Sequence, residues 1–369
     1  FQFLTIHSFR SFWVCALGAR VQNCSQISRN FVTVPQAPRT SIVSAKDQVS
    51  KPASVLNKFV SYPKEEFHQY LSPFLKEEFV EQLDTFNDHS LLIRRPILDL
   101  LKDILQIRTL QTSVENVPPE SSAAPRFLAY GQPGTGISVI LSQIGHFAAV
   151  NDWLVFPFPN AERWTKRCYD LTPSSEYHQA QHRSNLIGDA FDFPGRSADW
   201  LKGFLNFNKG FLEKMRSLCS QPDGPPCLLL IDGVNFLWCR ATRLKDKTLG
   251  RRVTVDRLAI VHHLIRALRA DWRHGVILTS TNIRAAWPTD REKYTPGYLL
   301  GKSGFQCLDP FVPLLVDNYN KMEFDACLQF YLENNWLFNP AAKTEGGQAE
   351  LEFLSDRNPL ELDNLAAEW

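Results

Sequence analysis

RFLAYGQPGTGISVIL, residues 126–141, sets a short apolar run against a glycine-rich turn and then a helical spacing of apolar residues. A phosphate loop of the G-x-x-x-x-G-K-[ST] type needs a strand, a turn whose backbone N–H groups curl around an anion, and a helix N-terminus. Gly131, Gly136 and Ser138 stand at the fixed positions of that pattern, with Gln132, Pro133, Gly134 and Thr135 between the first two. The lysine that should reach the terminal phosphates is Ile137. Ser138 takes the place of the hydroxyl that ligates magnesium. The backbone cradle is present and its strongest charge is missing. Such a charged donor contributes about 1.5–3 kcal/mol, or roughly 10- to 150-fold in phosphate affinity.

The flanking sequence supplies the context such a loop requires. RFLAY (126–130), WLVFPF (153–158), CLLLID (227–232), GVILTSTN (275–282) and PFVPLLVDNY (310–319) read as strands. Helix-length segments separate them: 138–150, ADWLKGFLNFNKGFLEKMRSL (198–218), DRLAIVHHLIRALRADW (256–272) and MEFDACLQFYLENNWL (322–337). That alternation predicts a parallel five-stranded sheet with helices on both faces. Upstream, YLSPFLKEEFVEQLDTF and SLLIRRPILDLLKDIL carry helical spacing, whereas residues 31–60 mix Pro, Ser and Lys like a linker.

Asp232 closes the most apolar strand, where the second acid of a phosphate-loop site holds the magnesium shell, so Ser138 and Asp232 form the candidate metal pair. Gly233 follows, where a hydrolytic site commonly carries a glutamate to activate water. Asn235 is close but is no base. Ser280, Thr281 and Asn282 end the next strand, in position to sense a terminal phosphate. Without Lys or Glu the site reads as non-hydrolytic.

Charge is distributed unevenly along a chain whose formal net charge is only +1. Residues 1–46 carry Arg10, Arg20, Arg29, Arg39 and Lys46, many serines and no acid, the composition of a mitochondrial transit leader. The chain begins at Phe1 rather than Met, as a sequence starting inside a longer one does. Residues 240–274 hold ten Lys or Arg against Asp246, Asp256 and Asp271, a net +7. Within them Arg243, Lys245, Lys247, Arg251 and Arg252 are candidates for contact with RNA phosphates or a partner; pairing with the chain's own tail is the alternative. That tail, from Asp309 to Trp369, has twelve acids against Lys321, Lys343 and Arg357, a net −9. No run of about 18 apolar residues predicts a membrane span. The eight cysteines form no C-x-x-C pair, and His178, His182 and Glu176 lie in a polar, loop-like stretch that argues against a metal site.

Taken together, LLIRRPILDLL, YGQPGTG, NDWLVFPFPNAERW, LLLIDGVNFLW and LLGKSGFQCLDPFVPLLVDNYNKMEFDACLQFYLENNWL resemble the death-associated protein 3 family over about residues 70–358. The resemblance implies an AAA-like P-loop NTPase fold with helical N- and C-terminal additions. It also implies GTP or GDP with Mg on Gly131, Gln132, Pro133, Gly134, Thr135, Gly136, Ile137, Ser138 and Asp232, without a catalytic residue. It implies a structural place in the small subunit of the mitochondrial ribosome, in the matrix. The partners implied are small-subunit rRNA and ribosomal proteins, and large-subunit proteins across an intersubunit bridge, with no membrane. Two departures stand out: Ile137 replaces the family's lysine, and the segment before CLLLID is shorter than the family's. The expected organisation is a leader (1–46), a linker and N-terminal helical region (47–112), a P-loop α/β domain (113–320) and an acidic helical region (321–369). A free mitochondrial AAA-like NTPase that remodels a partner is the alternative function.

Overall fold

The computed structural model describes residues 42–44, 55–113, 124–167, 171–174, 190–212, 225–239, 242–243, 252–269, 274–286 and 293–368. The transit-like leader up to residue 41, the histidines 178 and 182, and Lys245, Lys247 and Arg251 fall outside them. The N-terminal part contains strands β1 (Ile42–Ser44) and β2 (Phe59–Ser61), short helical turns over Lys64–Phe74, helix α1 (Glu77–Phe86), β3 (Ser90–Leu92) and α2 (Arg95–Ser113). The α/β part runs β4 (Arg126–Tyr130), α3 (Ile137–Val150), β5 (Leu154–Phe158), the two-residue pair β6 (Thr172–Pro173) and β7 (Phe191–Asp192), α4 (Pro194–Phe207) and β8 (Cys227–Ile231). It continues through α5 (Ala259–Ala267), β9 (Gly275–Ser280), α6 (Pro296–Leu308) and β10 (Val312–Leu315). Helices α7 (Lys321–Glu333), α8 (Glu345–Ser355) and α9 (Pro359–Glu368) complete the chain.

The main sheet has the order β10-β4-β9-β8-β5, with every neighbouring pair parallel. Strands β4, β9, β8 and β5 are apolar on both faces, as a sheet covered on both sides requires, while the edge strand β10 is largely exposed. Leu228, Leu230, Val276 and Leu278 point into one core with Ile140, Leu141 and Ile144 of α3. Leu229, Ile231 and Ile277 point into the other, with Val261, Leu264, Leu300 and Leu308. Proline occurs at both edges, Pro157 in β5 and Pro313 in β10, where a missing ladder donor is tolerated.

The strand predictions hold to within a few residues, and two upstream readings change. Ser90–Leu92, read as the opening turn of a helix, is a strand antiparallel to Phe59–Ser61. Pro96 fits the first turn of α2, so the helix starts at Arg95 and frees the apolar run before it. The linker-like stretch 31–60 supplies β2, and β1 pairs parallel to it. The region predicted helical thus also carries a three-stranded sheet. Helix α6, unpredicted, carries a left-handed Gly301 (φ 62°) that interrupts its periodicity.

The N- and C-terminal regions share one core: Phe59, Phe67, Leu91 and Ile93 pack with Phe324, Phe330, Leu351 and Leu362. Phe59 stacks on Phe330 with centroids 4.2 Å apart. Helix α7 begins with a reciprocal cap between Asn320 and Glu323. Helix α3 lies between this core and the sheet, buried all round, its polar residues tied outward: Gln143 Nε2 donates to Leu92 O (3.4 Å) and His146 Nε2 meets Glu66 Oε2 (3.0 Å). No described helix is long and apolar enough to cross a membrane.

Candidate functional site

The loop between β4 and α3 opens at the carboxyl edge of the sheet, the side on which parallel sheets place ligands. Gly131 has no room for a side chain, since a Cβ there would lie 2.1 Å from Val316 O. Gly134 and Gly136 take left-handed backbone, φ 89° and 88°, which residues with a Cβ rarely adopt. Gly136 caps α3 without any side-chain acceptor, and a Cβ there would meet nothing within 4 Å. The first N–H groups of α3 thus have no side-chain cap at the positive end of the helix dipole. Thr135 is buried and Gln132 and Pro133 are exposed. Ile137, where a cation would face the phosphates, is partly buried against the core beneath α3.

Ser138 and Asp232 come together. Ser138 Oγ donates to Asp232 Oδ2 at 2.8 Å, and Ser280 Oγ donates to Asp232 Oδ1 at 2.6 Å. Ser280 in turn accepts the Gly233 N–H at 2.8 Å. Burial raises the Asp232 carboxyl above the usual carboxylate range, only partly offset by the two serine hydroxyls. A half-enclosed carboxylate sharing its oxygens with two hydroxyls and no cation is the donor set a hard divalent ion such as Mg favours.

Gly233 is fixed by geometry as well as by sequence. Its φ is 80°, and a Cβ would sit 2.9 Å from the Phe236 ring. A glutamate base has no place there. Asn235 is committed elsewhere: Nδ2 donates to Asn282 O (2.8 Å) and Oδ1 accepts from Asn282 N (2.9 Å), clamping the ends of β8 and β9. Of the three polar residues ending β9, Ser280 serves Asp232 and Asn282 caps the turn at Arg284. Thr281 N–H donates to Ala129 O at the end of β4, and its buried Oγ1 has no partner among the described residues. An orphaned hydroxyl beside the loop is what a bound ligand would satisfy.

Sequence reasoning missed the groups that hold the loop from behind. Buried Arg94 donates from Nη1 to Thr135 O (2.7 Å). Its Nη2 donates to Asp317 O (2.8 Å), Asn318 O (3.2 Å) and Glu323 Oε2 (3.1 Å). The guanidinium also lies 4.9 Å from the Tyr319 ring centroid. From the C-terminal side, Asn358 Nδ2 donates to Pro133 O (3.0 Å) and Leu360 N–H to Gly134 O (3.2 Å). The carbonyls of Pro133, Gly134 and Thr135 are thus held by protein behind the loop, while Gln132 O accepts the Thr135 hydroxyl (2.9 Å) and N–H (3.4 Å) within it. The one signal in the sequence was a cation inside the apolar run LLIRRPIL.

Of the basic segment, Arg243 and Arg252 are described and both are exposed. They flank a tie in which Thr242 N–H and Oγ1 both donate to Val253 O at 2.9 Å. Among the described residues, neither forms an ion pair with the acidic C-terminal helices; Glu323 and Glu352 pair within their own region and with Arg94.

Strand order, loop and terminal acid define an α/β protein of the P-loop NTPase class in its AAA-like arrangement. The family model for mitochondrial ribosomal death-associated protein 3 matches residues 91–221 and 215–365, and the chain belongs to that family. It is 34% identical over 338 residues to small ribosomal subunit protein mS29 of Bos taurus, covering 79% of each chain. To the protein of the same name from Mus musculus it is 31% identical over 388 residues, covering 93% of each. AMPPCP-bound DnaA from Aquifex aeolicus overlaps 73% of this chain and 59% of its own at 17% identity, with a TM-score of 0.32. An overlap that loose carries no argument, and the fold class rests on the strand order.

Proposed function

We propose that this chain is a structural component of the small subunit of the mitochondrial ribosome, in the matrix, whose P-loop holds a guanine nucleotide without turning it over. Membership of a family of mitochondrial ribosomal proteins supports a structural setting. The observation that carries the reading is the Asp232 cluster: Ser138 and Ser280 converge on Asp232, while the next residue is a glycine that cannot be replaced without strain.

In this reading the N–H groups of Gly134, Gly136, Ile137 and Ser138 hold the phosphates, and Ser138 with Asp232 hold magnesium. Thr281 supplies a further hydroxyl at the cleft. The magnesium would supply charge neutralisation for the phosphates. Ile137 puts no cation at the loop position that faces the far phosphate, and Asp232, the carboxylate at the end of β8, is engaged by Ser138 and Ser280, with Gly233 putting no second acid beside it. Electrostatic stabilisation of a transferring phosphoryl group is then weak. The guanine base is what the family resemblance implies. Arg243, Lys245, Lys247, Arg251 and Arg252 are assigned to rRNA or a protein neighbour, and the large subunit across an intersubunit bridge is a further proposed neighbour.

Sedimentation of matrix extract tests the assembly, and titration of purified protein with magnesium and GTP, then ATP, tests the site. Cosedimentation with small subunits through a high-salt wash, with no turnover, is the expected result. A free light fraction with steady hydrolysis would instead make the chain a remodelling NTPase.

A further inference from the structure

His68, Asp84 and His89 bring their ligand atoms to within 4.8 Å of one another, the one such group of three His, Cys, Asp or Glu side chains among the described residues. His68 Nε2 lies 3.1 Å and His89 Nε2 lies 2.8 Å from the same Asp84 oxygen, Oδ1. A tetrahedral ion with bonds of about 2.0–2.1 Å holds neighbouring ligand atoms roughly 3.3 Å apart. The observed spacings are close to that edge before any ion is present. We propose that His68, Asp84 and His89 bind a divalent transition-metal ion of the zinc class, with water completing the shell.

The backbone places each ligand from a different element. His68 stands in the helical turns after β2, and its carbonyl accepts from Ser72 Oγ at 3.0 Å. Asp84 lies in the last turn of α1, which Asn87 ends in left-handed conformation (φ 50°), donating its N–H to Asp84 O. That reversal delivers His89 back towards Asp84, and His89 O accepts the Tyr62 N–H at 3.1 Å. The His89 ring is fixed against Phe67, centroids 4.9 Å apart, and its side chain is only 5% exposed. His68 and Asp84 are about one-third exposed, so the remaining coordination position faces water. Two imidazoles and one carboxylate are a donor set that zinc and neighbouring divalent metals share. Lys64 Nζ, 3.4 Å from the same Asp84 oxygen, is largely exposed and moves off when the ion arrives.

Bound there, the ion pins the helical turns, α1 and the lead-in to β3 together. It acts as a staple of the shared terminal core. The test is competition titration of the full chain with Zn2+ against a chromophoric chelator, together with the visible spectrum of the Co2+ form. One equivalent is expected, with no thiolate charge-transfer band and a raised Tm in Zn2+. His68→Ala removes an exposed ligand while leaving the His89–Asp84 contact. It should weaken that equivalent by at least the roughly 10–100-fold that loss of an outer-shell partner costs. Asp84→Asn should weaken it further. No stoichiometric binding, binding that His68→Ala leaves unchanged, or a thiolate band from the cysteines would each overturn the assignment.

Discussion

Replacing Arg94 with methionine keeps most of the apolar stem and deletes the guanidinium that joins the phosphate loop to the C-terminal region. Its side chain is 8% exposed and that of Glu323 is 3% exposed, so the pair is screened little by water. Removing one member of such a pair strands the other charge, at a cost of about 3–5 kcal/mol. The carbonyls of Thr135, Asp317 and Asn318 lose their donor in the same step, but these losses overlap and do not add. Glu323 keeps the Asn320 N–H at 3.0 Å, which places the expected loss near the lower end of the range. Urea unfolding followed by tryptophan fluorescence reads it directly. The double variant Arg94→Met with Glu323→Gln should recover part of the loss, since the stranded charge is gone. Nucleotide affinity should fall in both, because Thr135 O no longer has its anchor. A single-variant loss under about 1 kcal/mol, the level of an exposed pair, would refute the clamp.

Ile137→Lys should raise nucleotide affinity by about tenfold or more, read by titration with magnesium and GTP; equal affinities would mean position 137 does not face the phosphates. Asp232→Asn should stabilise the nucleotide-free protein at neutral pH while abolishing its magnesium dependence. The folded carboxyl has a raised pKa, so Asp232 favours the fold at acid pH and loses that contribution as pH rises through its folded value. The gain from Asn should therefore shrink as pH falls towards the ordinary carboxylate range, and a pH-independent difference in Tm would contradict this origin. Charge reversal of Arg251 and Arg252 to Glu should weaken assembly into small subunits, most strongly at low salt where the charges are least screened; incorporation unchanged at every salt concentration would leave the segment a solvated face. The mature N-terminus should fall between about Phe31 and Lys46, and terminal sequencing of mitochondrial protein that finds the leader intact would exclude processing there.

The central sheet was legible because its strands carry their own evidence. RFLAY and CLLLI are strands over nearly the residues read, since a buried parallel strand is an unbroken apolar run between turn signals. The positions at the carboxyl edge were legible from the same pattern, and Ser138 and Asp232 are hydrogen-bonded there. Residues whose meaning depends on remote partners were not legible. Arg94 is explained by Asp317, Asn318 and Glu323, and Asn358 by Pro133, each more than 200 positions away in sequence. Ser90–Leu92 was misread for a similar reason: three apolar-flanked residues take their state from Phe59–Ser61, which local pattern had assigned to a linker. The α5 reading was too long because Val255–Arg257 forms a separate 3-10 turn and Leu258 is extended before the helix begins.

The shared terminal core imposes an order of events on the making of the molecule. Gln82 bonds Asp363 and Phe59 stacks on Phe330, contacts that close loops of well over two hundred residues. A polypeptide emerging N-terminus first therefore exposes Phe59, Phe67 and Leu91 until the stretch containing Phe324 and Leu362 has followed it. Chains dominated by such distant pairings fold slowly and are prone to self-association while they wait. The phosphate loop is held by the same late arrivals, Asn358 and Leu360. A truncated or stalled chain would hence possess the glycines of its cradle and lack the frame that shapes them.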